Sequence, residues 1–110
     1  MKRAASSSNA REHDVQSAIL EYLEVHRIFH WRQNVGGMKR GKHFVRFGVK
    51  GLPDICCIVN GRFIGIEVKR DKVDQSQAQV EFQVGVQHAG AKYILARHLD
   101  DVIAGLRAAG

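Results

Sequence analysis

Residues 51–69 have the sequence GLPDICCIVNGRFIGIEVK. Within this stretch, Asn60-Gly61 separates two apolar runs. The pair is typical of a two-residue type I′ turn, because both central positions of that turn need a positive φ. We therefore predict a β-hairpin with one strand over Ile55–Val59 and the other over Arg62–Val68.

The two-residue loop fixes the register of this predicted hairpin. Val59 should pair with Arg62, and the same register places Asp54 opposite Glu67, with the Cβ atoms roughly 4.5–5.5 Å apart. Lys69 follows two residues after Glu67, so it should share that face. The other face is apolar and should be buried. Its residues are Ile55, Cys57, Val59, Ile64, Ile66 and Val68.

Two opposed carboxylates repel each other, and one of them tends to keep its proton unless a cation lies between them. Mg²⁺ prefers oxygen ligands and often binds through one or two carboxylates together with a substrate phosphate. The hairpin therefore predicts a divalent-cation site at Asp54 and Glu67, with Lys69 beside it.

The pattern Pro53-Asp54 followed by Glu67-Val68-Lys69 resembles that of the PD-(D/E)XK nucleases. The glycines and the lysine in residues 48–54 make it more similar to the virus-type replication–repair (VRR-Nuc) branch, which includes standalone phage nucleases and the C-terminal domain of the Fanconi-associated nuclease. The resemblance covers about residues 10–98. It implies a restriction-endonuclease-like core.

The resemblance also implies an activity, a Mg²⁺- or Mn²⁺-dependent endodeoxyribonuclease. Asp54, Glu67 and the backbone carbonyl of Val68 would bind the metal, and an acidic residue near the start of the first helix, here Glu12, would complete the shell. Lys69 would orient the attacking water or neutralise charge on the phosphate. Standalone relatives imply a homodimer that resolves four-way (Holliday) junctions in phage replication or repair, in a phage or bacterial cytoplasm.

The composition is that of one globular domain with a polyanionic partner. The 110 residues are 45% hydrophobic and 25% charged, and the net charge is +6. We expect a disordered tail over residues 1–9 and one domain over residues 10–110.

No apolar run is long enough to span a membrane. Cys56 and Cys57 should point to opposite faces of a strand as small buried residues, without a disulfide. The six histidines show no metal-ligand spacing.

A first helix is predicted over residues 10–27. Its apolar stripe consists of Val15, Ala18, Ile19, Tyr22 and Leu23. One turn earlier the stripe reaches Glu12, which has two interpretations. Glu12 could form a capping box with Asn9 as N-cap, or, as the resemblance implies, it could point towards the metal site.

The segment between Val25 and Pro53 contains no Asp or Glu. We predict strands at residues 28–35 and 44–47, separated by a mobile, glycine-rich basic loop over residues 36–42. A basic run can be simply a solvated face, but this one leads into the predicted site and favours phosphate contact. The predicted DNA-binding residues are Lys39, Arg40, Lys42, Arg46, Lys50, Arg70 and Lys72. Trp31, Phe44 and Phe47 are expected in the core rather than stacked on bases.

A second helix is predicted over residues 74–89, with Asp74 and Gln77 as a capping box and Gly90 as its end. Gln77 could instead, or in addition, lie beside the active site, as a glutamine at this place does in the resembled family. Val80 and Val84 are either partly buried or part of a dimer surface. A strand at residues 92–96 and a helix at residues 99–108 complete the chain.

These elements predict an α/β fold with a central mixed sheet flanked by helices, in the order α-β-β-β-β-α-β-α. Two alternatives to the junction-resolving nuclease stay open at this point. One is a non-catalytic basic DNA-binding module. The other is a nicking, flap-cutting or restriction-type nuclease of the same superfamily.

Overall fold

The computed structural model of the chain describes residues 8–33, 37–40, 43–46 and 49–109. These ranges contain three helices, α1 (Ser8–Val25), α2 (Gln77–His88) and α3 (Leu99–Ala109). They also contain six strands: β1 (Phe29–Arg32), β2 (Gly37–Arg40), β3 (His43–Arg46), β4 (Ile55–Val59), β5 (Arg62–Val68) and β6 (Lys92–Ala96). The predicted α/β class is confirmed.

Four of the strands form a mixed sheet in the order β1-β4-β5-β6. The β1–β4 and β4–β5 pairs are antiparallel, whereas β5 and β6 are parallel and are connected through α2. The predicted mixed sheet with the β4–β5 hairpin at its centre is therefore confirmed. The strands β2 and β3 pair separately as a two-stranded antiparallel sheet.

The hairpin turn has the predicted geometry. Asn60 and Gly61 both have positive φ, 51° and 79°, as a type I′ turn requires. The register also agrees, since Val59 pairs with Arg62 and Ile55 with Ile66. Extending this register by one residue places Asp54 opposite Glu67.

One face of the sheet, here called the core face, is packed under two helices. Ile19 and Leu23 of α1 and Val102 and Leu106 of α3 belong to the same buried cluster as this face. The core-face residues are Ile55, Cys57, Val59, Ile64, Ile66 and Val68. All of them belong to that cluster or pack against it, so the predicted burial of this face is confirmed.

The other face, here called the acidic face, carries Asp54 and Glu67 and is approached by α2. Residue 65 is glycine because a Cβ there would lie 2.9 Å from the Pro53 ring, which packs over it. Gly51 (φ +78°) lies against the backbone of α2, where a Cβ would be 2.2 Å from the Ala78 carbonyl oxygen. The loop that carries Pro53-Asp54 therefore fits closely between β5 and α2.

Two predictions of secondary structure were wrong in detail. The first helix begins at Ser8, so Ser8 and Asn9 are helical and not part of a disordered tail. Residues 37–40 form β2 and not a mobile loop, since they pair with β3, and α1 is followed by five strands before α2 instead of four. The rest of the predicted tail, residues 1–7, and Gly36, Gly41, Lys42 and Phe47 lie outside the described residues.

Both cysteines are buried, as expected, at adjacent positions on β4. In the ranges that the structure describes, no helix has both the length and the apolar character needed to cross a membrane.

Candidate metal centre

The two acids predicted to oppose each other do lie together. Asp54 directly precedes β4, and Glu67 is the penultimate residue of β5. Each carboxyl group influences the pKa of the other, so the two lie close together. The local geometry of a tight hairpin thus places two acidic side chains side by side.

Backbone groups at the end of the hairpin fix Asp54. The Val68 N–H donates to Asp54 Oδ2 at 2.8 Å. The Asp54 carbonyl oxygen in turn accepts from the Gln33 N–H at 2.7 Å, just beyond β1. Asp54 is therefore held at the point where β1 and β5 end and β4 begins.

Glu67 is almost completely buried, with 2% of its surface exposed. Its Oε2 accepts from Gln79 Nε2 at 2.8 Å and lies 3.9 Å from Lys69 Nζ. Its Oε1 is buried and has no hydrogen-bond partner among the described residues. A buried oxygen left in this state costs about 1–3 kcal/mol, which a ligand at that oxygen would recover.

Burial and like charge raise the pKa of both acids. Burial is the main reason that the pKa of Glu67 rises to about 8, and the neighbouring Asp54 charge adds to it, while Lys69 acts in the opposite direction. Burial also raises the pKa of Asp54, and the Val68 N–H opposes that rise. Near neutral pH, the pair therefore retains a proton that a cation could replace.

Glu12 lies at the margin of this pair. Its Oε2 accepts from the Arg70 N–H at 3.4 Å, and its charge raises the pKa of both Asp54 and Glu67. The capping box proposed for Asn9 and Glu12 is wrong, because Asn9 lies inside α1. Within the described part of the chain, no three His, Cys, Asp or Glu side chains are grouped closely enough to hold a metal ion.

The residues present nevertheless fit a divalent cation in one respect. Two carboxyl groups lie close together, and the buried Glu67 Oε1 has no hydrogen-bond partner within the part of the chain that the structure describes. Carboxylate oxygens are the ligands that Mg²⁺ and Mn²⁺ prefer. The site therefore has a two-carboxylate core, and Glu12 would have to turn from Arg70 to join it.

The glutamine beside the acids is Gln79 and not the predicted Gln77. The predicted capping box of Asp74 and Gln77 is wrong, since α2 begins at Gln77 with Ser76 as its N-cap. Gln77 bonds to Glu81 on the exposed surface at 3.0 Å. The pattern Ser76-x-x-Gln79 is itself a capping-box signal, so the sequence contained the information needed to find Gln79.

Gln79 connects the start of α2 to the acid pair. Its Oε1 accepts from the Ser76 N–H at 2.8 Å, and its Nε2 donates to Glu67. Because one amide makes both contacts, the orientation of the Glu67 carboxyl depends on how α2 is capped.

Of the predicted DNA-binding residues, Lys50, Arg70 and Lys72 are exposed. Lys39 and Arg40 belong to β2 and Arg46 to β3. Lys42 lies outside the described residues. No sequence signal indicated the role of Arg97, whose Nη1 donates to the carbonyl oxygens of Arg70 and Val73 and so holds the loop after β5.

The expectation that Trp31 belongs to the core is wrong. Trp31 lies on the edge strand β1 and is 38% exposed, and its neighbour Phe29 is 68% exposed. Phe44 is in β3, and Phe47 lies outside the described residues.

No protein-family model matches the chain, and no match was found among curated proteins or among solved structures. The resemblance to the PD-(D/E)XK nucleases therefore rests on the residues of the hairpin and on the site that they form.

Proposed function

We propose that this protein is a Mg²⁺- or Mn²⁺-dependent DNA endonuclease with a PD-(D/E)XK core of the virus-type replication–repair branch. The observation that carries the proposal is the pair of half-buried Asp54 and buried Glu67, with Lys69 next to it and with a Glu67 oxygen that has no hydrogen-bond partner among the described residues. A purely structural role does not explain why a buried glutamate lies beside a second acid, because the arrangement costs stability.

Asp54 and Glu67 would hold the metal, together with the backbone carbonyl of Val68 and with Glu12. When bound, the ion would polarise the scissile phosphate and lower the pKa of a water molecule. The Val68 N–H keeps Asp54 in place, and Gln79 keeps Glu67 in place. Lys69, whose side chain is 18% exposed, can reach a phosphate at the mouth of the site and neutralise charge that develops there.

The net charge of +6 supports a polyanionic substrate. Lys50 precedes the site in the chain and the exposed Arg70 and Lys72 follow it, so they could contact flanking phosphates. We extend the proposal to branched DNA, including four-way junctions, cut by a homodimer. Val80 and Val84 support a dimer surface on α2, since they are 39% and 58% exposed.

The test is cleavage of a panel of labelled substrates by the full chain, in Mg²⁺, in Mn²⁺ and in EDTA. The panel contains duplex DNA, single-stranded DNA, a flap, a four-way junction and RNA. We expect cleavage of at least one DNA substrate that EDTA abolishes. Asp54→Asn and Glu67→Gln should each reduce the rate at least about 1,000-fold without weakening DNA binding.

Asp74→Asn is the matched control, because Asp74 is an exposed acid that follows the same hairpin. This variant should cleave like the wild-type chain. DNA binding without cleavage of any substrate would instead indicate the non-catalytic module. Cleavage by Asp54→Asn at the wild-type rate would show that Asp54 is not part of the catalytic site. A monomer in sedimentation that still cleaves would exclude junction resolution by a dimer.

A further inference from the structure

Three large apolar side chains are exposed together on the acidic face, at the side that α2 leaves open. Phe29, Trp31 and Ile58 are 68%, 38% and 41% exposed. The register pairs Phe29 with Ile58 and Trp31 with Cys56, so these residues share one face of β1 and β4. Exposed apolar groups gathered in one place mark interaction surfaces more often than isolated ones do.

This aromatic patch, defined as Phe29, Trp31 and Ile58, lies on the same face of the sheet as the acid pair. Cys56, the partner of Trp31, is two residues from Asp54 along the same face, a separation of about 7 Å. Ile58, the partner of Phe29, is four residues from Asp54, or about 13 Å along the strand. A single chain of nucleotides can therefore contact the patch and the acids at once.

The two aromatic rings are already held in place. Phe29 and Trp31 pack edge to face, with centroids 6.0 Å apart and an interplanar angle of 63°. Trp31 Nε1 donates to Gln33 Oε1 at 2.9 Å. One ring can thus stack on a base while the other supports it, and little side-chain freedom is lost on binding.

The charge of the segment that carries β1 favours a polyanionic partner. Arg27 lies beside Phe29 in a depression that Glu24 also lines, and residues 26–52 contain no acidic residue. Stable contacts between protein subunits bury about 800 Å² on each side, far more than three side chains offer. Aromatic rings beside a basic surface instead fit unpaired nucleobases.

We infer that Trp31 and Phe29 form a stacking site for one or two unpaired bases of a nucleic acid whose backbone reaches Asp54 and Glu67. This inference rests on the proposed function and deepens it. The substrate would contain a single-stranded segment next to the scissile phosphate, and uninterrupted duplex would be bound less well.

Trp31 is the single tryptophan of the chain, so its fluorescence reports on stacking directly. The titration uses the full chain in EDTA, where no metal-dependent cleavage occurs. The probes are a thymidine 12-mer, an abasic strand with the same phosphates and a blunt duplex. We expect the thymidine strand to quench the fluorescence, while the abasic strand and the duplex leave it nearly unchanged.

Trp31→Ala should weaken binding of the thymidine strand about tenfold and change duplex affinity less than about twofold. Trp31→Phe should restore most of the loss, which a general folding defect would not allow. Val25→Ala is the control, since it removes an exposed apolar side chain from α1, outside the patch. Equal thermal melting of the variants checks that the fold is intact.

Equal quenching by the thymidine and abasic strands, or unchanged affinity in Trp31→Ala, would overturn the inference. The inference would also be overturned if the fluorescence changed with protein concentration alone and Trp31→Ala abolished a dimer. The patch would then join two copies of the chain. The chain could also show quenching and the Trp31→Ala defect but cleave no substrate. That outcome would support the stacking site and contradict the proposed nuclease activity.

Discussion

The two faces of the four-stranded sheet are built from alternate residues of the same strands, yet they are packed very differently. On the core face, Ile55, Ile64 and Ile66 are completely buried under α1 and α3. On the acidic face, no residue of α2 is buried, and a groove of about 690 Å³ runs between α2, Phe63 and Lys50. The difference shows how one hairpin supplies a closed core on one side and places two acids beneath a looser cover on the other.

The difference in packing between the two faces is tested most directly by truncating one isoleucine on each face. Ile66→Ala should lower the free energy of unfolding by about 4 kcal/mol, because it leaves a cavity in the closed core. Ile58→Ala should cost less than about 1 kcal/mol, since Ile58 is 41% exposed. Urea denaturation followed by far-UV circular dichroism measures both. Similar losses for the two variants would mean that the faces are packed alike.

A second effect follows from the raised pKa of Glu67 on the acidic face. The unfolded chain has the ordinary pKa of 4.5 and the folded chain about 8, so the folded state binds more protons between these values. The stabilisation is therefore complete below pH 4.5 and is lost as the pH rises through 8. We expect the metal-free protein to lose about 3 kcal/mol of stability between pH 5 and pH 8.

Denaturation in EDTA across this pH range tests that prediction. Glu67→Gln should flatten the pH dependence and be more stable than the wild type at pH 8, because no buried charge forms. Glu21→Gln, a substitution at an exposed glutamate, should leave the wild-type slope unchanged. A wild-type stability that is constant from pH 5 to pH 8 would contradict the raised pKa.

The smallest effect concerns the two glutamines at the start of α2. Gln79→Ala should cost about 1 kcal/mol, since it removes the contacts with Ser76 and Glu67. If the chain cleaves DNA, its rate should also fall at least about tenfold, because Glu67 loses the group that orients it. Gln77→Ala should change both quantities little, as its bond to Glu81 lies on the surface. A larger cleavage defect in Gln77→Ala would restore the original assignment.

The sequence was sufficient for the hairpin because its information is local. Asn60-Gly61 determines the turn, the turn determines the register, and alternation then assigns every residue to a face. The positions of Asp54 and Glu67 followed without knowledge of the rest of the fold. Their pairing was therefore predictable, although the buried state of Glu67 was not.

The sequence-based predictions that were wrong concern features that depend on tertiary contacts or on competing local signals. Residues 37–40 lack apolar alternation, and only their pairing with β3 makes them a strand. Asp74-x-x-Gln77 and Ser76-x-x-Gln79 are overlapping capping patterns, and the second one forms the N-cap of α2. Trp31 was expected in the core because it is aromatic, but residue type cannot reveal that β1 lies at the edge of the described sheet, where Trp31 is 38% exposed.

The hydrogen bond from Val68 to Asp54 closes a loop of only fourteen residues, whereas Glu12 is 58 residues from its partner Arg70. The repulsion between Asp54 and Glu67 therefore arises as soon as the hairpin forms, while the desolvation of Glu67 waits until α2 docks against it. Acidic conditions should consequently speed folding through the first contribution and slow unfolding through the second. The pH dependence of the folding and unfolding rates would thus show that the two carboxylates come together first and are buried later.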